Sequence, residues 1–380
     1  MSPSLKRTLS STHRSISPPP IQRKIPRSTK HVADTRSVTP HAHADADQFR
    51  IFSWNVNGVG PLLQKQLSFS TDPALSPLRT FLKRHAWPHF LCLQEVKMNS
   101  KDTATQRRLQ SAANEGVTSD EPCYTLHVSL PRDKYNATGF GGKVHGVATL
   151  IRDDVVANVR ATRRPDWDLE GRVLIHELNP GLVIINGYWV NGTTNPYRDP
   201  STGKVVGTRH DHKLRFHNMM LAEACKFEEE GKYVVLIGDM NIARARIDGY
   251  PNLRTTPVQH VTNRADFNAK FFTEETGLRG IDVFRHIHGD TRKYSYRPRG
   301  KQWGDSGDRV DLCIVSRQLV EELNAVTDTD ICDNAIDRGH SDHVPLWICI
   351  DILKLKANTT IKTSMPSDHS IVDPRSIAEK

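Results

Sequence analysis

Cysteine is scarce in this chain: six residues in 380, at positions 92, 123, 225, 313, 332 and 349, with no CxxC pair. Their scatter argues against a disulfide framework or a cysteine zinc site. Cys92, Cys313 and Cys349 lie inside apolar runs, as the reduced core thiols of an intracellular protein do. Long apolar runs are missing as well. None approaches the roughly 18 residues of a membrane helix, so no membrane partner is expected, and the N-terminus lacks the apolar segment of a secretory leader. No internal repeat is visible.

Acid is also missing where the chain begins, with none before Asp34. Residues 1–48 hold eight Lys/Arg against three Asp, include Pro18-Pro19-Pro20, and cannot bury enough apolar surface to fold. They read as a disordered basic, Ser/Pro-rich arm. The patch Gln22-Arg23-Lys24-Ile25-Pro26-Arg27 reads equally as a weak nuclear address or a nucleic-acid contact, with a solvated tail as the plain alternative, and the nucleus is the expected compartment. A mitochondrial transit peptide is the alternative, although the prolines oppose the amphipathic helix it needs. Residues 354–380 read as a second tail. The net charge is +9, yet residues 49–353 carry only +2, so any attraction to polyanions comes from local patches and the tails.

Between the tails, short β-like runs recur at 49–54, 89–95, 146–151, 172–178, 182–188, 232–239, 309–315 and 345–350. Helical spacing marks Leu78 to Arg84 and His212 to Glu229. The loops 99–122, 191–208, 248–263 and 292–307 are long, and loops that long in a compact domain are usually functional or disordered.

The run Tyr233-Val234-Val235-Leu236-Ile237 is apolar throughout, as a strand buried on both faces requires, and it ends in Gly238-Asp239-Met240-Asn241. An ordinary Asp/Asn turn is one reading. If the strand stays extended, Asp239 and Asn241 share a face, which is the other. Four more runs end the same way. Ser53-Trp54-Asn55-Val56-Asn57-Gly58 repeats the spacing with two amides, and Leu91-Cys92-Leu93-Gln94-Glu95 ends in a carboxylate. Asp308-Arg309-Val310-Asp311 places an acid in a run that should be buried, where it needs a partner. Ser341-Asp342-His343 precedes the last strand. Each has a plain alternative: a cap, a solvated strand end, a structural histidine. Together they supply oxygens for a hard cation, a general base and an imidazole beside a carboxylate, which is the equipment for hydrolysing a phosphodiester.

These five motifs, in this order, closely resemble the exonuclease III-type branch of the endonuclease/exonuclease/phosphatase superfamily, which includes the AP endonucleases. The resemblance spans about residues 49–353. It implies one catalytic domain of α/β (α+β) class: a four-layer α/β/β/α sandwich of two packed β-sheets, DNase I-like, with the strand ends converging on one metal site. It also implies Mg²⁺, with Mn²⁺ as a possible substitute, held chiefly by Glu95 with Asn57 and Asp342; many relatives have Asp at the position of Asn57. Asp239 would orient or deprotonate the attacking water beside Asn241. Asp311 would hold His343, which stabilises the phosphate. Asn55 would organise the network, Tyr188 would contact phosphate, with core packing as its alternative, and Asn191 would contact substrate.

The loop Tyr294-Ser295-Tyr296-Arg297-Pro298 matches the family less well. AP endonucleases place an apolar, aromatic pocket here. Tyr296 can form one wall, but Arg297 and Asp308 stand where relatives tend to have aromatic or aliphatic residues. Arg309, Tyr296 and Trp303 are expected on the substrate surface, because basic residues interleaved with aromatics suit nucleic acid. His210-Asp211-His212 and His286-Ile287-His288 read as solvated, lacking further ligands at zinc spacing. The function expected is a Mg²⁺-dependent DNA phosphodiesterase, an AP endonuclease/3′-exonuclease-like DNA repair nuclease acting as a monomer. The alternatives are a phosphatase or RNA nuclease of the same superfamily, or a non-catalytic nucleic-acid-binding relative.

Overall fold

The computed structural model describes residues 47–64, 75–137 and 145–364. Apart from Asp47 and Gln48, the arm expected over 1–48 lies outside the described residues. In chain order the strands are β1 (Gln48–Asn55), β2 (Phe90–Gln94), β3 (Tyr124–Ser129), β4 (Val147–Arg152), β5 (Val159–Arg163), β6 (Val173–Leu178), β7 (Leu182–Tyr188) and β8 (Pro196–Arg198). They continue with β9 (Val205–Thr208), β10 (Tyr233–Asp239), β11 (Gly249–Tyr250), β12 (Ile281–Asp282), β13 (Gly307–Asp308), β14 (Asp311–Val315), β15 (Val326–Ile331) and β16 (Leu346–Asp351). All eight expected runs are strands. The helices Pro77–Arg84 and Arg209–Glu229 also form, each opened by a hydroxyl cap, Ser76 and Thr208.

Two six-stranded sheets result, in the orders β15-β16-β1-β2-β4-β3 and β12-β14-β10-β7-β6-β5. Alternation of side chains along each strand builds three apolar layers from them. Phe49, Ile51 and Cys92 of the first sheet meet Ile184, Val235 and Ile237 of the second between the sheets. Phe52, Trp54 and Leu91 face the other way, onto Phe81 and Leu109 of helices outside the first sheet. Val183, Leu236 and Val234 face Phe216, Met220 and Phe267 outside the second. The chain is therefore a four-layer α/β/β/α sandwich, as the motifs imply.

The inter-sheet layer changes character at one end. Continuing the alternation past Phe49 and Ile51 puts Ser53 and Asn55 on the inner face of β1; past Val235 and Ile237 it puts Asp239 there on β10. A polar seal forms where these residues begin: Gln94 Nε2 donates to Ser53 Oγ (3.0 Å) and to Asn186 Oδ1 (2.8 Å). Within the second sheet, β10 and β7 run so close here that a Cβ on Gly238, whose φ is +145°, would stand 2.0 Å from the carbonyl oxygen of its partner Gly187. Only glycine fits.

Four expectations change here. Residues 354–364 are not a tail: the helix Ile352–Ser364 runs through them. The loop 99–122 contains the helix Thr103–Ala113, capped by Asp102, where polar residues hid the short apolar stripe. His210 and His212 are buried rather than solvated, the first beside Asn263 and the second stacked on Tyr197 at 3.9 Å. Arg309 faces away from any substrate surface. Its guanidinium is 1 % exposed and holds Asp282 through two bonds (3.0 and 2.7 Å) and Asp248 through one (2.8 Å), while Arg244 and Arg285 complete the cluster. It ties the loop after β10 to β12 and β14.

Removing one member of a buried ionic cluster leaves charge uncompensated, so Arg309→Met should lower the unfolding free energy by about 3–5 kcal/mol in urea titration. A variant as stable as the parent but inactive would return Arg309 to the substrate. Acid should also unfold the protein. His89 accepts a hydrogen bond from the Arg50 backbone N–H (3.0 Å), and burial, helped by Arg152, pushes its pKa down to about 3. Burial likewise takes His176 to about 3. Both therefore stay neutral when folded and take up protons on unfolding, so stability should fall as pH drops below about 6.5, a loss that stops growing near pH 3. Chemical denaturation at pH 7 and pH 5 tests this; equal midpoints would contradict it.

Candidate active site

The polar end of the inter-sheet layer gathers nine of the expected residues. Asn55, at the end of β1 and fully buried, donates through Nδ2 to Glu95 Oε1 (3.1 Å) in the first sheet and to Asp239 Oδ2 (2.9 Å) in the second. Tyr188 at the end of β7 donates its hydroxyl to the same Glu95 oxygen (2.7 Å). His343 Nδ1 meets Asp311 Oδ2 at 2.7 Å, which directs Nε2 towards Asp239 Oδ2, 3.9 Å away. Asn57 Nδ2 donates to Asp342 Oδ1 (2.8 Å). Trp54 Nε1 and Ser341 Oγ support the assembly by bonding the carbonyls of His343 and Asn55.

The extended continuation of β10 does not persist, yet the pairing it suggested does. Asn241 has φ +51°, and its backbone N–H returns to Asp239 Oδ1 (2.8 Å) in an Asx turn, while Nδ2 reaches the Trp189 carbonyl (3.0 Å) and Asp239 Oδ2 (3.2 Å). Asn57 repeats this off Asn55 Oδ1 (3.0 Å), also at φ +51°. Glu95 and Lys97 adopt positive φ as well. Such non-glycine residues carry strain that the surrounding fold must hold, and they cluster where β1, β2 and β10 end.

Electrostatics follow from burial at close quarters. Burial, then Asp311, raises Asp239 to about 7. For His343 burial opposes the cation, but Asp311, Asp239 and Asp342 outweigh it and raise the imidazole to about 10. Burial also works against the charge of Glu95; Lys97, Tyr188 and Asn55 nevertheless hold its carboxyl below the usual range.

Two lysines escaped the sequence reading. Lys97 Nζ lies 2.9 Å from Glu95 Oε2 and also bonds Asn57 Oδ1; the basic residue two places after a strand-end glutamate was its available signal. Lys213, within the helix Arg209–Glu229, is buried beneath the site and donates to the carbonyls of Val190 (2.7 Å), Asn241 (3.0 Å) and Met240 (3.1 Å). Burial pushes it down to about 7, against the pull of Asp239. These bonds pin the turns bearing Asn191 and Asn241.

A cavity of about 250 Å³ opens over this floor, lined among others by Glu95, Tyr188, Asn191, Asp239, Asn241 and His343. Tyr296 and Asp308 form one wall, and Arg254, His260, Asn263 and Arg264 from the long loop and helix after β10 form another. Trp303 is absent from the lining. It lies between Arg297 (4.8 Å) and Arg338 (5.0 Å), and Arg297 itself turns to Asp333 through a bidentate pair (2.8 and 2.6 Å). Arg297 and Trp303 of that loop are thus engaged within the protein, whereas Tyr296 faces the cavity and the exposed Arg299 places Nε 4.0 Å from Asp342 Oδ2.

Carboxylate and amide oxygens are the donors a hard divalent cation takes: Glu95 and Asn57 share a cationic partner in Lys97, and Asn57 joins Asp342 through Nδ2 (2.8 Å). Among the described residues, Asp239, Asp311 and His343 form a close group of ligand-type atoms.

A model of the Endonuclease/Exonuclease/phosphatase family matches residues 52–369. An exodeoxyribonuclease of Bacillus subtilis is 24 % identical over 311 residues, covering 80 % of this chain and 100 % of its own length. Among solved structures, an AP endonuclease from Leishmania major superposes with a TM-score of 0.58 at 20 % identity, covering 81 % of this chain and 89 % of its own. A Neisseria 3′ phosphatase bound to product DNA hairpin gives 0.54 at 21 %, covering 80 % and 99 %. With the family pattern extending over most of its length and the strand ends converging as that pattern requires, this chain belongs to the endonuclease/exonuclease/phosphatase family.

Proposed function

We propose that the protein is a Mg²⁺-dependent phosphodiesterase acting on DNA as a monomer, an AP endonuclease/3′-exonuclease-like repair nuclease. The observation that carries this reading is the convergence of His343 Nε2 and Asp239 Oδ2, 3.9 Å apart, on a cavity floored by Glu95. That separation is too long for a hydrogen bond, so neither group is tied up by the other and both face the space between them. The similarity to an exodeoxyribonuclease, an AP endonuclease and a DNA-bound 3′ phosphatase supports DNA as the substrate.

The residues divide the work by their chemistry. His343, held as the imidazolium by Asp311, donates through Nε2 to a non-bridging phosphate oxygen, and the amide of Asn191 adds a neutral donor, while Asn241, its Nδ2 bonded to Trp189 and Asp239, holds the Asp239 carboxylate in place. Asp239 accepts a proton from the attacking water; burial raises its proton affinity towards neutrality, which suits a general base. Glu95, Asn57 and Asp342 are the residues that would hold a divalent cation, which would supply compensation for charge on the phosphate and leaving oxygen. Tyr188 fixes the Glu95 carboxylate through its hydroxyl. We place the protein in the nucleus on the strength of its basic N-terminal stretch.

A second reading keeps the centre and changes the substrate to a 3′-terminal phosphate, favoured by the similarity to the Neisseria enzyme. The full chain should cut abasic-analogue duplex in Mg²⁺ and not in EDTA, with intact duplex, 3′-phosphorylated duplex and single-stranded RNA as comparisons. Release of inorganic phosphate alone would favour the second reading. Glu95→Gln and His343→Ala should each reduce kcat/KM by about 100-fold or more while keeping the far-ultraviolet dichroism of the parent. Full activity in either variant would remove that residue from the centre.

A further inference from the structure

Asp308 has no work to do inside the protein. Its backbone is locked on both sides: it pairs with Gly249 of β11, accepts from the Tyr296 N–H (2.8 Å) and donates to the Tyr296 carbonyl (3.0 Å). The carboxylate is half-buried on the cavity wall, yet among the described residues it accepts no hydrogen bond and joins no ion pair. The neighbouring cations do not reach it. Arg264 is tied to the carbonyls of Ala243 (2.8 Å) and Arg254 (2.6 Å), and Arg254 lies exposed at the rim. Both act on Asp308 only at longer range.

An ionised carboxylate is acceptor-only, and leaving one partly desolvated without a donor is costly. A phosphate group against it would be repelled, so the phosphate belongs at His343 and something else belongs at Asp308. Tyr296 narrows the choice. Its ring is half-exposed in the same cavity, 5.1 Å from the His343 ring, and offers an aromatic face beside the acceptor. An aromatic face plus a fixed acceptor is how a nucleoside is held, by stacking and by a bond from an N–H or hydroxyl. A bare deoxyribose has no base to stack or to donate.

We propose that Asp308 is the specificity-determining residue of this cavity: it accepts a hydrogen bond from the nucleoside adjoining the scissile phosphate, so that a base-bearing nucleotide is preferred to an abasic one. The inference rests on the DNA phosphodiesterase reading above. The donor is a base N–H, because DNA carries no 2′-hydroxyl.

The test uses the full chain in Mg²⁺ on one duplex whose 3′-terminal residue is deoxycytidine, a tetrahydrofuran abasic analogue or cytidine. The readout is the ratio of kcat/KM values between substrates, from which the amount of folded enzyme cancels. The parent should favour deoxycytidine over the abasic analogue by about tenfold or more, and Asp308→Ala should bring the ratio close to one. Asp308→Asn, which keeps an acceptor oxygen and the backbone bridges, should lose less. If instead only the cytidine to deoxycytidine ratio collapses in Asp308→Ala, the partner of Asp308 is a 2′-hydroxyl and the inferred base contact is overturned. A parent preference for the abasic end, or ratios identical in parent and Asp308→Ala, overturns the inference and leaves the nuclease reading standing. Failure of the parent to cut any of the three overturns both.

Discussion

One amide joins the two halves of the site. Asn55 sits at the end of β1 with no exposure, and its two N–H donors go to Glu95 in its own sheet and Asp239 in the other. A carboxamide is suited to this position because it bridges two carboxylates without adding a charge of its own. Aspartate there would bring a third anion into the same small volume, and an aliphatic residue would leave both oxygens short of a donor. Tyr188 to Glu95 and Gln94 to Asn186 join the sheets beside it, and Asn55 sets the spacing of the Glu95 and Asp239 carboxylates by bonding both.

The rest of the centre is a balance of buried charge. Asp239 and Asp311 are each 1 % exposed and stand near one another, which neither would tolerate alone. His343 lies between them as a cation, and Lys213 sits beneath with its donors satisfied by backbone carbonyls. Arg309 is a structural counterpart. It neutralises Asp248 and Asp282 away from the cavity, so the loop that supplies Arg254 and His260 is anchored without drawing on the catalytic charges. The strain in the turns at Asn57, Glu95 and Asn241 is held by the same network.

Most of the centre was legible because its residues end strands. Asp239, Asn55, Glu95 and Tyr188 each follow an apolar run, and the period of two that buries Val235 and Ile237 also aims Asp239 inward. Arg309, buried in its acidic cluster, and Trp303, outside the cavity lining, differ from the expectation for a shared reason. Basic and aromatic residues clustered along a loop look alike whether they face a polyanion or pair with acids elsewhere in the chain. Arg309 pairs with Asp248 and Asp282, 61 and 27 residues away. Lys213 leaves no mark in the sequence because its partners are three backbone carbonyls, whereas Lys97 is marked only by its place two residues after Glu95, its other partner Asn57 lying 40 residues away.

The sequence by itself determined the class of the fold and the inventory of reactive groups, since strand periodicity and the polar residues that terminate it are local properties. The tertiary structure decided which of those groups meet. Direction is lost at a turn, as at Asn241, where a positive φ rather than an extended strand brings the amide back to Asp239. Partnership depends on packing across sheets, and that packing occupied Arg297 and Arg309 within the protein while leaving the carboxylate of Asp308 facing the cavity with nothing to accept.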